Sequence, residues 1–148
     1  MSSKILIIED NDDFRFLLKS CLETQALGVN ILEATSGEQG KEMALAETPD
    51  IILMDIRLPG INGVEAASAI KQEIPDTKIV ILTMFETETF KKVFSSDYIE
   101  AYIGKSEIHD KLIPLIKKVL SEGKASEFSG PNPKANSNPN PKAKRTGY

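Results

Sequence analysis

Four apolar runs in this chain each lead into polar or charged residues, and the most informative of them ends in a single carboxylate. Residues 51–54 read Ile-Ile-Leu-Met and are followed directly by Asp55. Burying an ionised carboxylate is costly, so we expect its charge to emerge at the carboxyl end of a strand, where open α/β sheets have their ligand crevice. The chain is therefore restricted to folds in which strands deliver polar side chains to one edge.

The other three runs have the same form. Residues 5–8 lead into Glu9 and Asp10, residues 78–82 into Thr83, and residues 101–104 into Lys105. If the strands are parallel, all of these side chains meet at one edge of the sheet.

Helical patterns alternate with the strands throughout, which indicates parallel pairing. Apolar spacing and capping signals predict helices over 12 to about 27, 36–47, 62–74, 86–95 and 107 to about 120. A fifth strand over 29–34 has the weakest pattern. Ser36 and Gln39 have the spacing of a capping box. Five βα units of this kind favour an α/β protein with a doubly wound sheet.

The length of 148 residues suggests one domain, over residues 1–122. From 123 to 148 the composition changes to Ser, Gly, Pro, Asn, Lys and Ala, which predicts a disordered tail or linker and is also compatible with a cloned extension. This tail carries five Lys/Arg and one Glu, so the net charge of −4 conceals a more acidic globular part. Acids at the crevice favour a divalent cation over a nucleic acid as ligand.

The remaining composition is informative mainly through what it excludes. A single cysteine, Cys21, forms no internal disulfide and lies on the apolar stripe of the first helix. No apolar run is long enough for a signal peptide or a membrane span, so we expect a cytoplasmic protein. Phe14 and Phe16 are two residues apart on the same helix, so Phe16 faces outward if Phe14 packs in the core.

Each polar residue at the edge also has an ordinary structural explanation. Glu9 and Asp10 precede a helix, where acids commonly cap the first turn, Thr83 is a β-branched residue in a strand, and Lys105 could be a solvated charge. Asp55 is harder to explain in this way. It is the combination of these residues that is specific.

In their order and intervals, these residues resemble the receiver domain of bacterial two-component response regulators, over about residues 3–120. The segment Leu58-Pro59-Gly60-Ile61-Asn62-Gly63 is similar to a turn that follows the phosphoacceptor in that family. Tyr102, three residues before Lys105, stands where the family has a switch aromatic. The resemblance implies a flavodoxin-like (βα)5 fold with a five-stranded parallel sheet in strand order 2-1-3-4-5.

The resemblance also implies a role for each residue. Asp55 is expected to be the phosphoacceptor, with Thr83 and Lys105 contacting the phosphoryl oxygens. Mg²⁺ is the expected cofactor, with Asp10, Asp55 and the backbone carbonyl of Arg57 as ligands and Glu9 acting mainly through water. These oxygen donors suit Mg²⁺, which would offset the repulsion between two anions. After phosphorylation, Thr83 is expected to be drawn inward and Tyr102 to turn from an exposed rotamer to a buried one.

The expected partners follow from the same family. A sensor histidine kinase or a histidine phosphotransfer protein would donate the phosphoryl group. A homodimer is expected to form through the face built by 86–95, 101–104 and 107–120, which includes Phe90, Phe94 and Tyr102. No nucleic acid is expected to bind this domain. The alternative is a receiver-like module that docks partners without phosphorylation. Position 57 is Arg, which argues against phosphatases that need a second Asp there.

Overall fold

The computed structural model describes residues 3–58, 60, 63–84 and 99–128. Its elements follow one another as β1 (Ser3–Ile8), α1 (Asp12–Thr24), β2 (Val29–Ala34), α2 (Gly37–Glu47), β3 (Ile51–Asp55), α3 (Gly63–Glu73), β4 (Lys78–Thr83), β5 (Ala101–Gly104), a π-helical turn (Ile108–Leu112) and α4 (Ile113–Phe128). The predicted helix over 86–95 lies outside the described residues.

The five strands form one parallel sheet in the order β2-β1-β3-β4-β5, which confirms the predicted fold. Ile8 pairs with Met54, Asp55 with Leu82, and Thr83 with Gly104. This register brings the carboxyl ends of the four neighbouring strands close to the same level. Polar residues that follow these strands are therefore placed along one edge.

One cluster of the core lies where α2 and α3 cover one face of the sheet. Alternate strand residues contribute to it, because successive side chains in a strand point to opposite faces. Its buried members include Ile8, Met54 and Ile81 from the strands, together with Ala44 from α2 and Ile70 from α3. Fully burying one such aliphatic side chain contributes about 1.5–3 kcal/mol, so this face anchors the strands that carry the polar edge.

Local signals explain where the first two helices begin. Asn11 caps α1, with its Oδ1 accepting a hydrogen bond from Phe14 N (2.8 Å). Ser36 caps α2 as predicted, its Oγ accepting from Gln39 N (3.1 Å). The Gln39 side chain reaches back to Thr35 N (2.7 Å) rather than to Ser36 N. The capping interaction is therefore present with its second half shifted by one residue.

Two helix ends differ from the prediction. Helix α1 ends at Thr24, before the predicted end near 27, because Ala26 turns the chain with a positive φ of 52°. The last helix begins with the π-helical turn and continues to Phe128, beyond the predicted end near 120 and into the segment predicted to be disordered. Residues 129–148 lie outside the described residues.

The chain divides into two compact units, residues 1–114 and 115–148. The first contains the whole sheet and the polar edge. Of the second, the structure describes the part of α4 from 115 to 128. Among the described residues, none of the helices has both the length and the apolar character needed to cross a bilayer.

Candidate functional site

An open cleft of about 1330 Å³ lies at the carboxyl edge of the sheet, within the first unit. Its lining includes the acidic pair after β1, the end of β3 and the residues after it, the end of β4 and the residue after β5. The structure thus brings together every predicted metal and phosphoryl-contacting residue: Glu9, Asp10, Asp55, Arg57, Thr83 and Lys105.

Three carboxylates form a cluster in this cleft. Glu9, Asp10 and Asp55 each place one carboxylate oxygen within 4.8 Å of the others. Glu9 and Asp55 are buried, whereas Asp10 is exposed. Hard carboxylate oxygens are the ligands that Mg²⁺ prefers, and an exposed member leaves room for the waters that Mg²⁺ usually retains. The donor set therefore fits a magnesium site.

Glu9 has the most constrained environment of the three acids. Its Oε2 accepts a hydrogen bond from Asn11 N (3.0 Å). Its buried Oε1 lies 2.8 Å from Lys105 Nζ, at ion-pair distance but without a well-directed hydrogen bond. Burial raises the pKa of Glu9 above its ordinary value, and the nearby charge of Asp55 adds to this, although Lys105 and Asn11 oppose it. A buried carboxylate oxygen without a hydrogen bond is a second feature that fits a metal ligand.

Lys105 connects the acids through its ammonium group. Nζ lies 2.8 Å from Glu9 Oε1 and 3.3 Å from Asp55 Oδ2, and the Lys105 side chain is only 13% exposed. Burial lowers the pKa of Lys105, but the close pairing with Glu9 and the charges of Asp55 and Glu9 outweigh it and raise the pKa overall. Nζ also lies 4.4 Å from the centroid of the Phe14 ring. The cation is thus firmly retained among two carboxylates and a ring.

Asp55 is held by contacts at both carboxylate oxygens. Oδ1 accepts a hydrogen bond from Arg57 N (3.2 Å), and Oδ2 accepts from Lys105 Nζ (3.3 Å). Thr83 is fully buried, and its backbone carbonyl accepts a hydrogen bond from Lys105 N (2.8 Å). This backbone hydrogen bond fixes the end of β4 beside the residue that follows β5.

The loop after Asp55 is closed by a glycine. Gly63 N donates to the carbonyl of Ile56 (2.8 Å). A Cβ at Gly63 would lie 2.9 Å from Ile56 Cα and closer still to the carbonyl oxygen of Asp55, so no larger residue fits without a backbone shift. Gly60 has a positive φ of 86°. Pro59, Ile61 and Asn62 of the predicted turn lie outside the described residues.

Tyr102, the predicted switch residue, lies in β5 away from the cleft lining. It is 8% exposed and belongs to the core cluster. The side chain was expected to be exposed before phosphorylation, so the structure differs from that expectation: the ring already packs with the core. Phe90 and Phe94 of the expected dimer face lie outside the described residues.

The sequence did not predict three residues that support the acidic cluster. Phe14 contacts Lys105, a role that its helical spacing did not reveal, and Phe16 on the same helix is 72% exposed. Asn11 N donates a hydrogen bond to Glu9 Oε2, and Arg15 Nη1 donates one to the backbone carbonyl of Glu9 (2.9 Å). Asn11 carries a recognisable signal because Asn is a preferred N-cap.

Comparison with known families matches residues 5–117 to the family described as response regulator receiver domain. The transcriptional regulatory protein DegU of Brevibacillus brevis is 32% identical over 120 residues, covering 81% of this chain and 51% of DegU. The response regulator ArlR of Staphylococcus saprophyticus is 36% identical over 119 residues, covering 80% of this chain and 52% of ArlR. The chain thus spans about half the length of these curated relatives.

Solved structures show the same relationship. The response regulator protein TrrA of Thermotoga maritima, solved in complex with Mg²⁺-BeF, has a TM-score of 0.71 and 32% identity, covering 79% of this chain and 98% of that one. A two-component response regulator of the LuxR family from Aurantimonas has a TM-score of 0.74 and 25% identity, covering 82% and 87%.

Proposed function

Because the chain belongs to the response regulator receiver domain family, we propose that Asp55 accepts a phosphoryl group in a Mg²⁺-dependent reaction and that the domain signals through this modification. The donor is a sensor histidine kinase or a histidine phosphotransfer protein. The observation that carries the proposal is the position of Asp55, buried at the end of β3, clustered with Glu9 and Asp10 and paired with Lys105.

The reaction is an exchange of one phosphorus bond for another. An Asp55 carboxylate oxygen attacks phosphorus and forms the new P–O bond. The P–N bond of the donor's phosphohistidine breaks, and its electron pair stays on the imidazole nitrogen. Asp10, Asp55 and the Arg57 carbonyl would hold Mg²⁺, with Glu9 acting mainly through water. The ion supplies charge neutralisation between the two anions.

The chain's own cation and hydroxyl complete the phosphoryl site. Lys105, already 3.3 Å from Asp55 Oδ2, supplies a compact positive charge for the phosphoryl oxygens. Thr83 offers a hydroxyl donor from the end of β4, which lines the same cleft. These groups stabilise charge where it develops in the transition state, and no group other than Asp55 needs to form a covalent bond.

Signalling then depends on a change in the residues around Asp55. A phosphoryl group on Asp55 gives Thr83 a new acceptor, and drawing Thr83 towards it alters the packing next to Tyr102. Because Tyr102 is already buried, we expect its ring to be stabilised in place by phosphorylation rather than to move in from solvent.

The remaining parts of the proposal concern the location and assembly of the domain, its metal ion and the loss of its phosphoryl group. The domain is expected to act in the cytoplasm and to form a homodimer. TrrA, which is 32% identical to this chain, was solved in complex with Mg²⁺-BeF, and this supports the proposal that this chain binds Mg²⁺. Slow loss of the phosphoryl group through attack by water is expected, as for any acyl phosphate.

The test uses acetyl phosphate and Mg²⁺ with the full chain. Intact-mass spectrometry should show one added phosphoryl group, and borohydride reduction followed by peptide mapping should place it at Asp55. Asp55→Asn and chelation with EDTA should each abolish the addition. Asp13→Asn is the matched control, since Asp13 lines the same cleft outside the carboxylate cluster and should leave it unchanged. A wild-type protein that stays unmodified would favour the module that docks without phosphorylation.

A further inference from the structure

The Phe14 ring covers the ammonium group of Lys105. Nζ lies 4.4 Å from the ring centroid, within the distance of about 6 Å at which a cation is attracted to the face of an aromatic ring. We propose that Phe14 is a positioning residue for phosphoryl transfer, whose ring holds Lys105 in place while the carboxylates engage a divalent cation. The proposal rests on the proposed function and deepens it.

The ring is placed by the same loop that carries the acids. Phe14 N donates to Asn11 Oδ1 (2.8 Å), and Asn11 N donates to Glu9 Oε2 (3.0 Å). Glu9 Oε1 in turn lies 2.8 Å from Lys105 Nζ. These contacts link Glu9 to Asn11, Asn11 to Phe14, Phe14 to Lys105 and Lys105 back to Glu9. A shift of the acidic loop would move the ring with it.

The ring contact differs in kind from the other two contacts of Nζ. Glu9 and Asp55 both belong to the carboxylate cluster, so a bound dication would compete with Lys105 for their oxygens. The ring is neutral and is not a ligand for a hard cation. Of the three contacts of Nζ described above, it is therefore the one that metal binding leaves unchanged. With the Lys105 side chain only 13% exposed, weak solvation strengthens the attraction.

A simpler role for Phe14 would be to exclude water as an apolar group. Leucine would then serve equally well, since it provides a buried aliphatic surface without a π face. A role through the ring quadrupole makes a different prediction, because fluorine atoms withdraw electron density from the ring with little change in its shape. Progressive fluorination should then weaken the effect in steps.

The experiment measures the rate of Asp55 phosphorylation by acetyl phosphate at fixed Mg²⁺. Phe14→Leu should slow it about fivefold, which corresponds to about 1 kcal/mol. Phe14→Tyr and Phe14→Trp should retain most of the rate. Incorporation of mono-, di- and trifluorinated phenylalanine at position 14 should lower the logarithm of the rate stepwise. Phe16→Leu, on the same helix and at a 72% exposed position, is the matched control and should change nothing.

A second readout follows Lys105 itself. Protons on its side chain near Nζ should show upfield ring-current shifts in the NMR spectrum, and these should persist when Mg²⁺ is added and disappear in Phe14→Leu. Equal rates across the fluorinated series, or loss of the shifts on adding Mg²⁺, would overturn the proposal. Wild-type phosphorylation is measured first. If the proposed function is wrong, the wild-type protein stays unmodified. If only this inference is wrong, the wild-type protein is phosphorylated and the fluorinated variants are phosphorylated at the same rate. The fluorinated variants keep the test valid if Phe14→Leu does not fold.

Discussion

Gly40 is the point at which α2 lies closest to β1, and Gly40→Ala probes that contact. A Cβ at Gly40 would lie 2.7 Å from Ile8 Cγ1, 3.0 Å from Cγ2 and closer still to Cδ1. Favourable contacts between carbon atoms lie at about 3.5–4.0 Å. Ile8 is fully buried, so its side chain cannot move into solvent. The strand involved is the one that delivers Glu9 to the cleft.

Two opposing effects set the magnitude. Alanine is favoured over glycine inside a helix by about 1 kcal/mol. Overpacking of a buried site costs about 1–3 kcal/mol, and three close atoms on one buried side chain favour the upper end. Gly40→Ala should therefore lower the free energy of unfolding by about 2 kcal/mol, and Ile8→Val alone by about 1 kcal/mol. Because valine lacks Cδ1, the double variant should lose only about 2 kcal/mol, a coupling of about 1 kcal/mol.

Urea unfolding followed by far-UV circular dichroism, with EDTA present, measures all four proteins. Gly63→Ala is the control, because its Cβ would meet the backbone of Asp55 and Ile56, which Ile8→Val cannot relieve. Its effect should add to that of Ile8→Val within about 0.5 kcal/mol. An additive Gly40→Ala and Ile8→Val pair, or a stabilising Gly40→Ala, would refute the packing argument.

Three other predictions concern helix ends and pH. Thr48 ends α2 in the left-handed region (φ 45°), so Thr48→Gly should raise the free energy of unfolding by about 0.5–1 kcal/mol in urea titrations. Ser36→Ala removes the α2 cap and should lower it by about 1 kcal/mol, whereas Ser36→Asp should retain it. Hydrogen bonds from Lys111 and from Gly104 N hold the pKa of Glu107 below its ordinary value of 4.5. The ionised Glu107 therefore stabilises the folded state above pH 4.5, and this stabilisation is lost as pH falls through the lower pKa of the folded state. Carbon NMR titration should show the low pKa of Glu107, and Lys111→Met should raise it. Glu107→Gln should remove this part of the pH dependence of the free energy of unfolding.

The fold was predictable because buried parallel strands carry a strong signal. Residues 5–8 and 51–54 are continuous apolar runs, and the structure buries both completely or nearly so. The strand over 29–34 had the weakest pattern, and its position explains this. As β2 it lies at the edge of the sheet and most of it is only partly buried, so its sequence mixes polar and apolar residues.

The membership of the site was also predictable, but its internal contacts were not. Polar residues that follow parallel strands must share an edge, which brought Asp55 and Lys105 together from sequence alone. Helical spacing did not reveal the contact of Phe14 with Lys105, because periodicity identifies the inward face of a helix but not what that face meets at its first turn. The end of α1 was missed for a related reason: Ala26 adopts a positive φ, and alanine gives no local sign of it.

The ion pairs of Lys105 have a consequence for which ions the cleft would admit. Three carboxylates and one ammonium leave a formal charge of minus two at the cluster. A divalent ion would cancel that charge fully, whereas a monovalent ion such as K⁺ would leave half of it uncompensated in a partly buried place. The lysine thus sets the valence of the ion that suits the pocket, and replacing it with a neutral residue should make the pocket more tolerant of trivalent lanthanides.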